Sequence, residues 1–223
     1  MFRNYLKIAW RNLLRNKTFS FINISGLAIG LSCFLLIALY VLDELSFDRY
    51  NAKADDIYRI NADIRFGGAE LRLPFTADQM GELMKKDYPQ VEQYTRIYTS
   101  SGPKLIKKGN AYINEQKVAH VDSTFFDVFT FPAIVGDTKT ALNDPNTVVI
   151  TESTAKKYFP QESARGYSEI IGKTIETNDD NHLAYKVTAV IGDIPHNSHF
   201  NFDFLFSMKN VHYDWGQLTS HNF

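Results

Sequence analysis

A long uncharged stretch near the N-terminus constrains this chain more than any other feature. No charged side chain occurs from Thr18 to Leu42, five basic residues precede this stretch, and the first acidic residues are Asp43 and Glu44. A helix of about 20 apolar residues crosses the hydrocarbon core of a bilayer, so the stretch is long enough to span one. The basic flank favours a cytoplasmic N-terminus. We therefore expect the chain from Asp43 onwards to lie outside the cytoplasm.

A cleaved signal peptide is the alternative interpretation of this stretch. Such a peptide has an apolar region of about 7–15 residues, followed by small side chains at the cleavage site. The apolar segment from Ile24 to Leu42 is longer than that and ends in bulky side chains. The sequence therefore favours a retained membrane anchor.

Charge and cysteine content exclude several functions for the outer part of the chain. Residues 43–223 carry a net charge of −6 and show no basic stripe, which argues against nucleic-acid binding. The single cysteine, Cys33, lies in the uncharged stretch, so the outer part has no disulfide and no thiol chemistry. We expect this part to be held together by packing alone.

The first 17 residues predict an amphipathic helix. On a helical wheel, apolar side chains fall on one side and four basic residues fall on another, namely Arg3, Lys7, Arg11 and Arg15. Basic amphipathic helices lie in the headgroup region of a membrane. The alternative is a simple topology signal, but topology alone does not require an apolar stripe. We predict an interfacial helix in contact with membrane lipids.

Two glycines four residues apart, Gly26 and Gly30, lie within the predicted membrane helix. Small residues at this spacing allow a second helix to approach closely. Glycine is also common in membrane helices without such a contact, and this alternative stays open. We predict helix packing at these two positions.

Strand and helix patterns are interspersed after the membrane segment. The predicted strands are 57–66, 69–73, 93–99, 104–108, 111–120, 147–151, 183–194 and 200–208, and the predicted helices are 76–88, 123–129 and 153–159. A hairpin tip is predicted at 178–181. Because there is no strict βαβ rhythm, we predict an α+β domain after an interfacial helix and one transmembrane helix. The phenylalanines between 125 and 131 are expected to fill its core.

No motif predicts catalysis or a bound cofactor. The segment Gly166–Thr174 resembles a phosphate-binding loop, but its glycines are one residue too far apart and it leads into a strand, not a helix. His196 and His199 could meet Asp193 and Asp203 at a metal, but a proline directly before His196 favours a turn. We expect no catalytic, cofactor-binding or metal-ligating residue.

Seven segments, taken in order, resemble the N-terminal part of MacB/FtsX-type ABC transporter permeases, including their MacB-like periplasmic core domain. These segments are Trp10–Lys17, Ile22–Gly30, Tyr40–Asp48, Ala54–Arg59, Val121–Phe131, Val149–Phe159 and Asp193–His199. Together they cover nearly the whole chain. Residues 160–171 are longer than the family's usual link, which indicates an inserted loop.

The resemblance implies a domain organisation and a set of partners. Residues 1–17 would form the cytoplasmic-side helix, 18–42 the first membrane helix, and 43–223 a periplasmic core domain truncated at its C-terminal end. Such permeases have three further membrane helices and work as dimers with a separate cytoplasmic ABC ATPase. The periplasmic domain moves when the ATPase hydrolyses ATP, and some members bind a periplasmic adaptor.

We therefore predict the N-terminal portion of a permease subunit in the bacterial inner membrane, serving an exporter or a mechanotransmission complex. The sequence stops at Phe223 without a second hydrophobic span, so we expect a fragment or a truncated reading frame. The alternative is a single-pass, membrane-anchored periplasmic sensor or binding module. A membrane-anchored enzyme is the third hypothesis, and no catalytic constellation supports it.

Overall fold

The computed structural model describes residues 2–99, 103–178 and 183–211 of the chain. The chain divides into two compact units, Met1–Phe47 and Asp48–Phe223. In the described part of the first unit there are two helices, α1 (Phe2–Arg15) and α2 (Lys17–Leu45). Asn16 separates them with non-helical backbone angles, φ −112° and ψ 59°.

Helix α2 contains the whole uncharged stretch. It has 29 residues and no buried side chain. At a rise of about 1.5 Å per residue, it is on the order of 43 Å long and exceeds the hydrocarbon core of a bilayer, ~30 Å. Among the residues that the structure describes, this is the one helix long and apolar enough to cross a membrane.

The second unit combines strands with short helices. Its strands are β1 (Ala62–Phe66), β2 (Ala69–Leu73), β3 (Ile97–Tyr98), β4 (Lys104–Lys108), β5 (Ala111–Glu115), β6 (Val118–Val121), β7 (Ala133–Gly136), β8 (Thr147–Thr151), β9 (Thr174–Glu176), β10 (Ala184–Ile191) and β11 (Phe204–Ser207). Its α-helices are α3 (Met80–Asp87), α4 (Phe125–Val128), α5 (Glu152–Tyr158) and α6 (Pro160–Ser163).

A seven-stranded mixed sheet forms the centre of this unit. Its order is β3-β6-β11-β8-β10-β7, and β9 pairs with β10. The pairs β6–β11 and β8–β10 are parallel, and the other pairs are antiparallel. Strands β1 and β2 form a separate hairpin, as do β4 and β5. This mixture confirms the predicted α+β fold.

Both faces of the sheet are buried at its centre, where every residue of β8 and of β11 is buried. Val148 and Ile150 belong to the apolar cluster on one face, which also contains Ala155 of α5. Val149 and Leu205 belong to the cluster on the other face, which contains Phe125 of α4. The sheet is therefore the middle of three layers.

A bulge in β10 decides which of its side chains reaches which layer. The register shifts between Val187 and Ala189. Strict alternation would place these two residues on the same face. The extra residue of the bulge instead places Val187 and Val190 in one cluster, and Ala189 and Ile191 in the other.

The structure differs from the sequence predictions at several element boundaries. The strand predicted to begin at residue 57 begins at Ala62, because its partner strand in the hairpin has only five residues. The strand predicted over 111–120 is two strands that belong to different sheets, β5 and β6. Strand β7 and helix α6 were not predicted. The hairpin tip predicted at 178–181 lies outside the described residues except for Asn178.

Phe125 and Phe131 are buried at 0% and 6% exposure, which confirms that the phenylalanines of this segment contribute to the core. Their rings stack with centroids 5.6 Å apart. Phe126 and Phe129 pack against the same cluster.

Gly136 ends β7 at a point where no side chain fits. Its φ is +88°, and a Cβ atom built there would lie 2.4 Å from the carbonyl oxygen of Thr188. We expect Gly136→Ala to lower the free energy of unfolding by about 2–4 kcal/mol, from backbone strain and overpacking together. Urea denaturation of the full-length protein in detergent, followed by near-UV circular dichroism, measures this loss.

Gly109 is the matched control for this substitution. Its φ is +60°, but nothing lies within 4 Å of an added Cβ. Gly109→Ala therefore carries backbone strain alone, about 1–2 kcal/mol. Equal losses in the two variants would contradict the close approach at Gly136.

Candidate functional site

The chain enters the second unit at Asp48, three positions after the end of α2. Asp48 has a left-handed backbone conformation with φ +57°. Aspartate is among the few non-glycine residues that occupy this region readily. Its backbone N–H donates to the carbonyl oxygen of Asn197 at 2.9 Å.

The carboxylate of Asp48 binds His199 with both of its oxygens. The backbone N–H of His199 donates to Oδ1 at 3.1 Å. Oδ2 lies 2.6 Å from Nδ1 of the imidazole. Asp48 therefore holds the turn at 197–199 through one backbone and two side-chain contacts.

Tyr50 extends this attachment into the core. Its hydroxyl lies 2.9 Å from Oγ of Ser198, and its ring lies 5.7 Å from that of Phe131. Burial raises the pKa of the Tyr50 hydroxyl above its ordinary value, and the hydrogen bond to Ser198 opposes part of that rise. The hydroxyl is thus a neutral hydrogen-bonding group.

Asn51 joins the same segment to a second loop. Its side chain accepts a hydrogen bond from the backbone N–H of Thr130 at 2.9 Å, and the Thr130 hydroxyl accepts from the backbone N–H of Ala52 at 3.0 Å. Asn51 is 5% exposed, whereas Ala52 and Thr130 are exposed, so only the Asn51 side chain of this pair of hydrogen bonds is buried. We call residues 48–52, 130–131 and 197–199 together the Asp48 clasp.

The clasp packs against a group of phenylalanine rings on one face of the sheet. Phe200 follows the clasped turn and packs 4.7 Å from Phe129 and 6.1 Å from Phe125. Phe131 of the clasp stacks on Phe125. Interlocked aromatic rings resist displacement, since close-packed cores transmit strain. The clasp is therefore mounted on a rigid part of the domain.

The structure places the predicted basic residues on α1, and all four are exposed: Arg3, Lys7, Arg11 and Arg15. Exposed apolar side chains of the same helix include Ile8, Trp10 and Leu13. Gly26 and Gly30 lie on α2, and no described atom comes within 4 Å of a Cβ added to either. These residues belong to the first unit, so their predicted roles stay predictions.

Two of the four side chains considered as metal ligands, His199 and Asp193, have other partners. His199 binds Asp48, and Asp193 accepts hydrogen bonds from Ser153 N and Oγ at 2.9 and 2.5 Å. In the part of the chain that the structure describes, no group of three or more His, Cys, Asp or Glu side chains could hold a metal ion.

The segment that resembles a phosphate-binding loop is a turn before a strand. It leads into β9, and the N–H of Gly172 donates to the carbonyl oxygen of Val187 at 2.8 Å. The ammonium group of Lys173 is paired with the carboxylate of Glu162 in α6. Lys173 therefore forms an ion pair within the domain.

Sequence reasoning did not find the clasp. Asp48 and His199 are 151 positions apart. The available signal was that each ends a segment that carried the family resemblance, Tyr40–Asp48 and Asp193–His199. A contact between the ends of these two segments could therefore have been proposed from the sequence.

In the part of the chain that the structure describes, an apolar helix able to span a membrane precedes a mixed α+β domain, which is the arrangement of a membrane protein with a folded extramembrane segment. The family model described as "MacB-like periplasmic core domain" matches residues 20–221. The chain belongs to this family, and the resemblance predicted from the seven segments is confirmed. The second unit is accordingly a periplasmic segment.

Solved structures that are similar to this chain include two periplasmic or permease domains. One is a domain of a proposed permease protein from Porphyromonas gingivalis, at 24% identity and a TM-score of 0.53, covering 65% of this chain and 57% of that chain. The other is the periplasmic region of MacB from Actinobacillus actinomycetemcomitans, at 18% identity and a TM-score of 0.43, covering 60% and 55%. The chain thus spans less than two thirds of each. No curated protein matches the sequence.

Asp203 gives a pH-dependent prediction at the start of β11. Burial raises the pKa of its carboxyl, with contributions from Glu115 and Asp193 that Lys117 and Lys157 oppose. The folded state therefore binds this proton more readily than the unfolded state does. Its contribution to stability falls as the pH rises above the ordinary aspartate pKa, about 3.9.

We expect Asp203→Asn to be more stable than the wild type at pH 7, by up to about 1 kcal/mol because the group is only half-buried. The difference should shrink as the pH falls towards about 4. Urea midpoints measured across this pH range test the prediction. Asp63→Asn, at an exposed position of β1, is the control for replacing a carboxyl group by an amide without burial. If the difference in stability between Asp203→Asn and the wild type did not change with pH, the prediction would be wrong.

Proposed function

We propose that this protein is a permease subunit of an ABC-type exporter or mechanotransmission complex. The observation that carries the proposal is a membrane-length helix joined to a MacB-like periplasmic core domain in one chain. The family is one of permease components, and we propose no catalytic activity for this chain.

In the proposed topology the protein lies in the bacterial inner membrane with its N-terminus in the cytoplasm. The basic residues of α1 and the first acidic residues after the uncharged stretch support this orientation, because positive charge is retained on the cytoplasmic side. Helix α1 lies against membrane lipids through its apolar side, with its basic side towards the headgroups.

The proposed partners are a cytoplasmic ABC ATPase, a second copy of the permease and a periplasmic adaptor. ATP hydrolysis supplies the energy, and the periplasmic domain moves in response. The exposed face at Gly26 and Gly30 supports helix association, because small residues let another backbone approach closely. Residues 1–17 meet the ATPase side of the membrane.

A single-pass sensor or binding module is the second candidate function. It requires only α2 and the domain that follows. The match of residues 20–221 to the MacB-like periplasmic core domain favours the permease over this alternative. The glycine face of α2 also has no role in that alternative.

We expect Gly26→Leu and Gly30→Leu each to abolish co-purification of the full-length protein with the ATPase. Added bulk meets nothing within the described chain, so a loss of assembly would come from a partner helix. Ala28→Leu adds similar bulk about 160–200° away on the helix and should leave co-purification intact. Normal co-purification of both glycine variants would contradict the packing role.

The proposed topology can be tested with single introduced cysteines, because Cys33 is the single cysteine of the sequence and can be replaced. In a Cys33→Ser background, Lys139→Cys should react with a membrane-impermeant maleimide in spheroplasts. Lys7→Cys should react only after lysis. Both positions are exposed in the structure. The reverse pattern would refute the orientation.

A further inference from the structure

We propose that strand β2 is a contact surface between two copies of this chain. It pairs antiparallel with β2 of the second copy, and the two-fold axis of the contact passes through Leu71. The two hairpins then form one four-stranded sheet. The inference rests on the proposed function, which supplies the second copy of the permease, and adds to it the surface at which the two periplasmic segments meet.

Strand β2 is an open edge. The β1–β2 hairpin is a sheet of its own, and no other described strand pairs with it. Four of the five residues of β2 are exposed, and Leu71 is 53% exposed. In β1, by contrast, Ala62 and Ile64 are half-buried. An unpaired edge is a template for a further strand, and β2 is the more accessible edge of this hairpin.

The turn of the hairpin determines which backbone groups of β2 point outwards. Gly67 and Gly68 have φ of +59° and +83°, as a type I′ turn of two residues requires. The residue pair that closes such a turn is hydrogen-bonded, and bonded pairs alternate with non-bonded pairs along the strands. In the observed register Leu71 therefore directs its N–H and C=O towards Ile64, whereas Glu70 and Arg72 direct theirs away from β1.

The sequence of β2 is complementary in charge to an antiparallel copy of itself. Glu70 and Arg72 flank Leu71, so pairing centred on Leu71 places each Glu70 opposite Arg72 of the other copy. Opposite charges directly across two strands stabilise their pairing. The same two residues carry the outward N–H and C=O groups, so each pair would also exchange two backbone hydrogen bonds.

The charges also exclude the neighbouring registers. Moving the axis by one full residue would place Glu70 opposite Glu70, or Arg72 opposite Arg72, and like charges across two strands are destabilising. Moving it by half a residue would place Leu71 on the charged face of the sheet. The pattern of β2 thus specifies one arrangement.

Strand β1 continues the alternation of charge. Within the hairpin Arg65 lies opposite Glu70, with 3.2 Å between Nη2 and Oε1, and Asp63 lies opposite Arg72. A row across the four strands reads Arg65, Glu70, then Arg72 and Asp63 of the second copy, so the sign changes at every step. In the described part of the chain the Arg72 side chain forms no ion pair, and the proposed contact supplies one.

Leu71 lies on the opposite face from these charges, beside Ile64. At the axis it would pack against Leu71 of the second copy and lose exposure to water, which is favourable. The contact is small beside a standard interface of about 1,600 Å². It therefore depends on two copies anchored in one membrane, where their effective concentration is high.

Disulfide cross-linking tests the contact. In a non-hydrogen-bonded antiparallel pair the Cα atoms are about 4.5 Å apart, which is within the range that a disulfide bridges. In a Cys33→Ser background, Leu71→Cys should therefore give a covalent dimer when the full-length protein is oxidised in membrane vesicles. No covalent dimer would contradict the contact.

Two further cysteines are the controls. Ile64→Cys lies one strand away from the axis, so its Cα atoms would be about 14 Å apart across three strand spacings, too far for a disulfide. Tyr112→Cys is also on an exposed hairpin strand, at 43% exposure, and measures random collision. Cross-linking at Ile64→Cys that equals or exceeds that at Leu71→Cys would show that β2 is not the contact.

Charge reversal tests the complementarity without disturbing the hairpin. The charge-reversed variant carries four substitutions, which keep every pair within the hairpin opposite in sign: Asp63→Arg, Arg65→Asp, Glu70→Arg and Arg72→Glu. Combined with Leu71→Cys, it should cross-link to itself as the parent Leu71→Cys protein does. When parent and charge-reversed copies carry different tags and are co-expressed, the mixed dimer should be roughly tenfold rarer, because two opposite-charge pairs become like-charge pairs. Mixed dimers at the statistical yield would overturn the inference.

Co-purification of two differently tagged wild-type copies separates this inference from the proposed function. If the copies co-purify but Leu71→Cys gives no covalent dimer, the inference is wrong and the proposed permease dimer stands. If the copies do not co-purify, the proposed dimer is itself contradicted, and the contact at β2 with it.

Discussion

Burial of the central strands β8, β10 and β11 on both faces holds the periplasmic domain together. With its one cysteine in α2, the domain has no disulfide to restrain its chain, so the sheet must supply the cohesion by packing. Apolar side chains of the same strands belong to two separate clusters, one that includes Ala155 of α5 and one that includes Phe125 and Phe131. The clasp at Asp48 depends on this arrangement, because the loops it binds are held in place by the strands and rings beneath them.

The sequence allowed much of the fold to be predicted because its strongest signals are local. An uncharged stretch predicts a membrane helix by itself, and the Gly67-Gly68 pair between two alternating segments predicts the β1–β2 hairpin. Pairing across the sheet is not local. Residues 111–120 look like a single strand, yet β5 pairs with β4 and β6 pairs with β11, more than 80 positions further on. The bulge in β10 could not be predicted from the sequence either. It is defined by the pairing of β10 with β8, which the sequence of β10 alone does not contain.

The same limit applies to the functional site. His196, His199, Asp193 and Asp203 are close in sequence and raised the question of a metal. The structure instead gives His199 a partner at Asp48 and gives Asp193 a partner at Ser153, both distant along the chain. Local spacing cannot reveal such pairs. The family resemblance was more informative about this contact, because Asp48 and the turn at 197–199 both belong to matching segments.

The contact between Asp48 and His199 is also strongly non-local in sequence. It closes a loop of the chain that contains every described strand except β11. The entropic cost of closing a loop grows with its length, so contacts of this kind slow folding relative to local ones. The hairpins β1–β2 and β4–β5 need only short loops, whereas the clasp requires nearly all of the described domain to be in place.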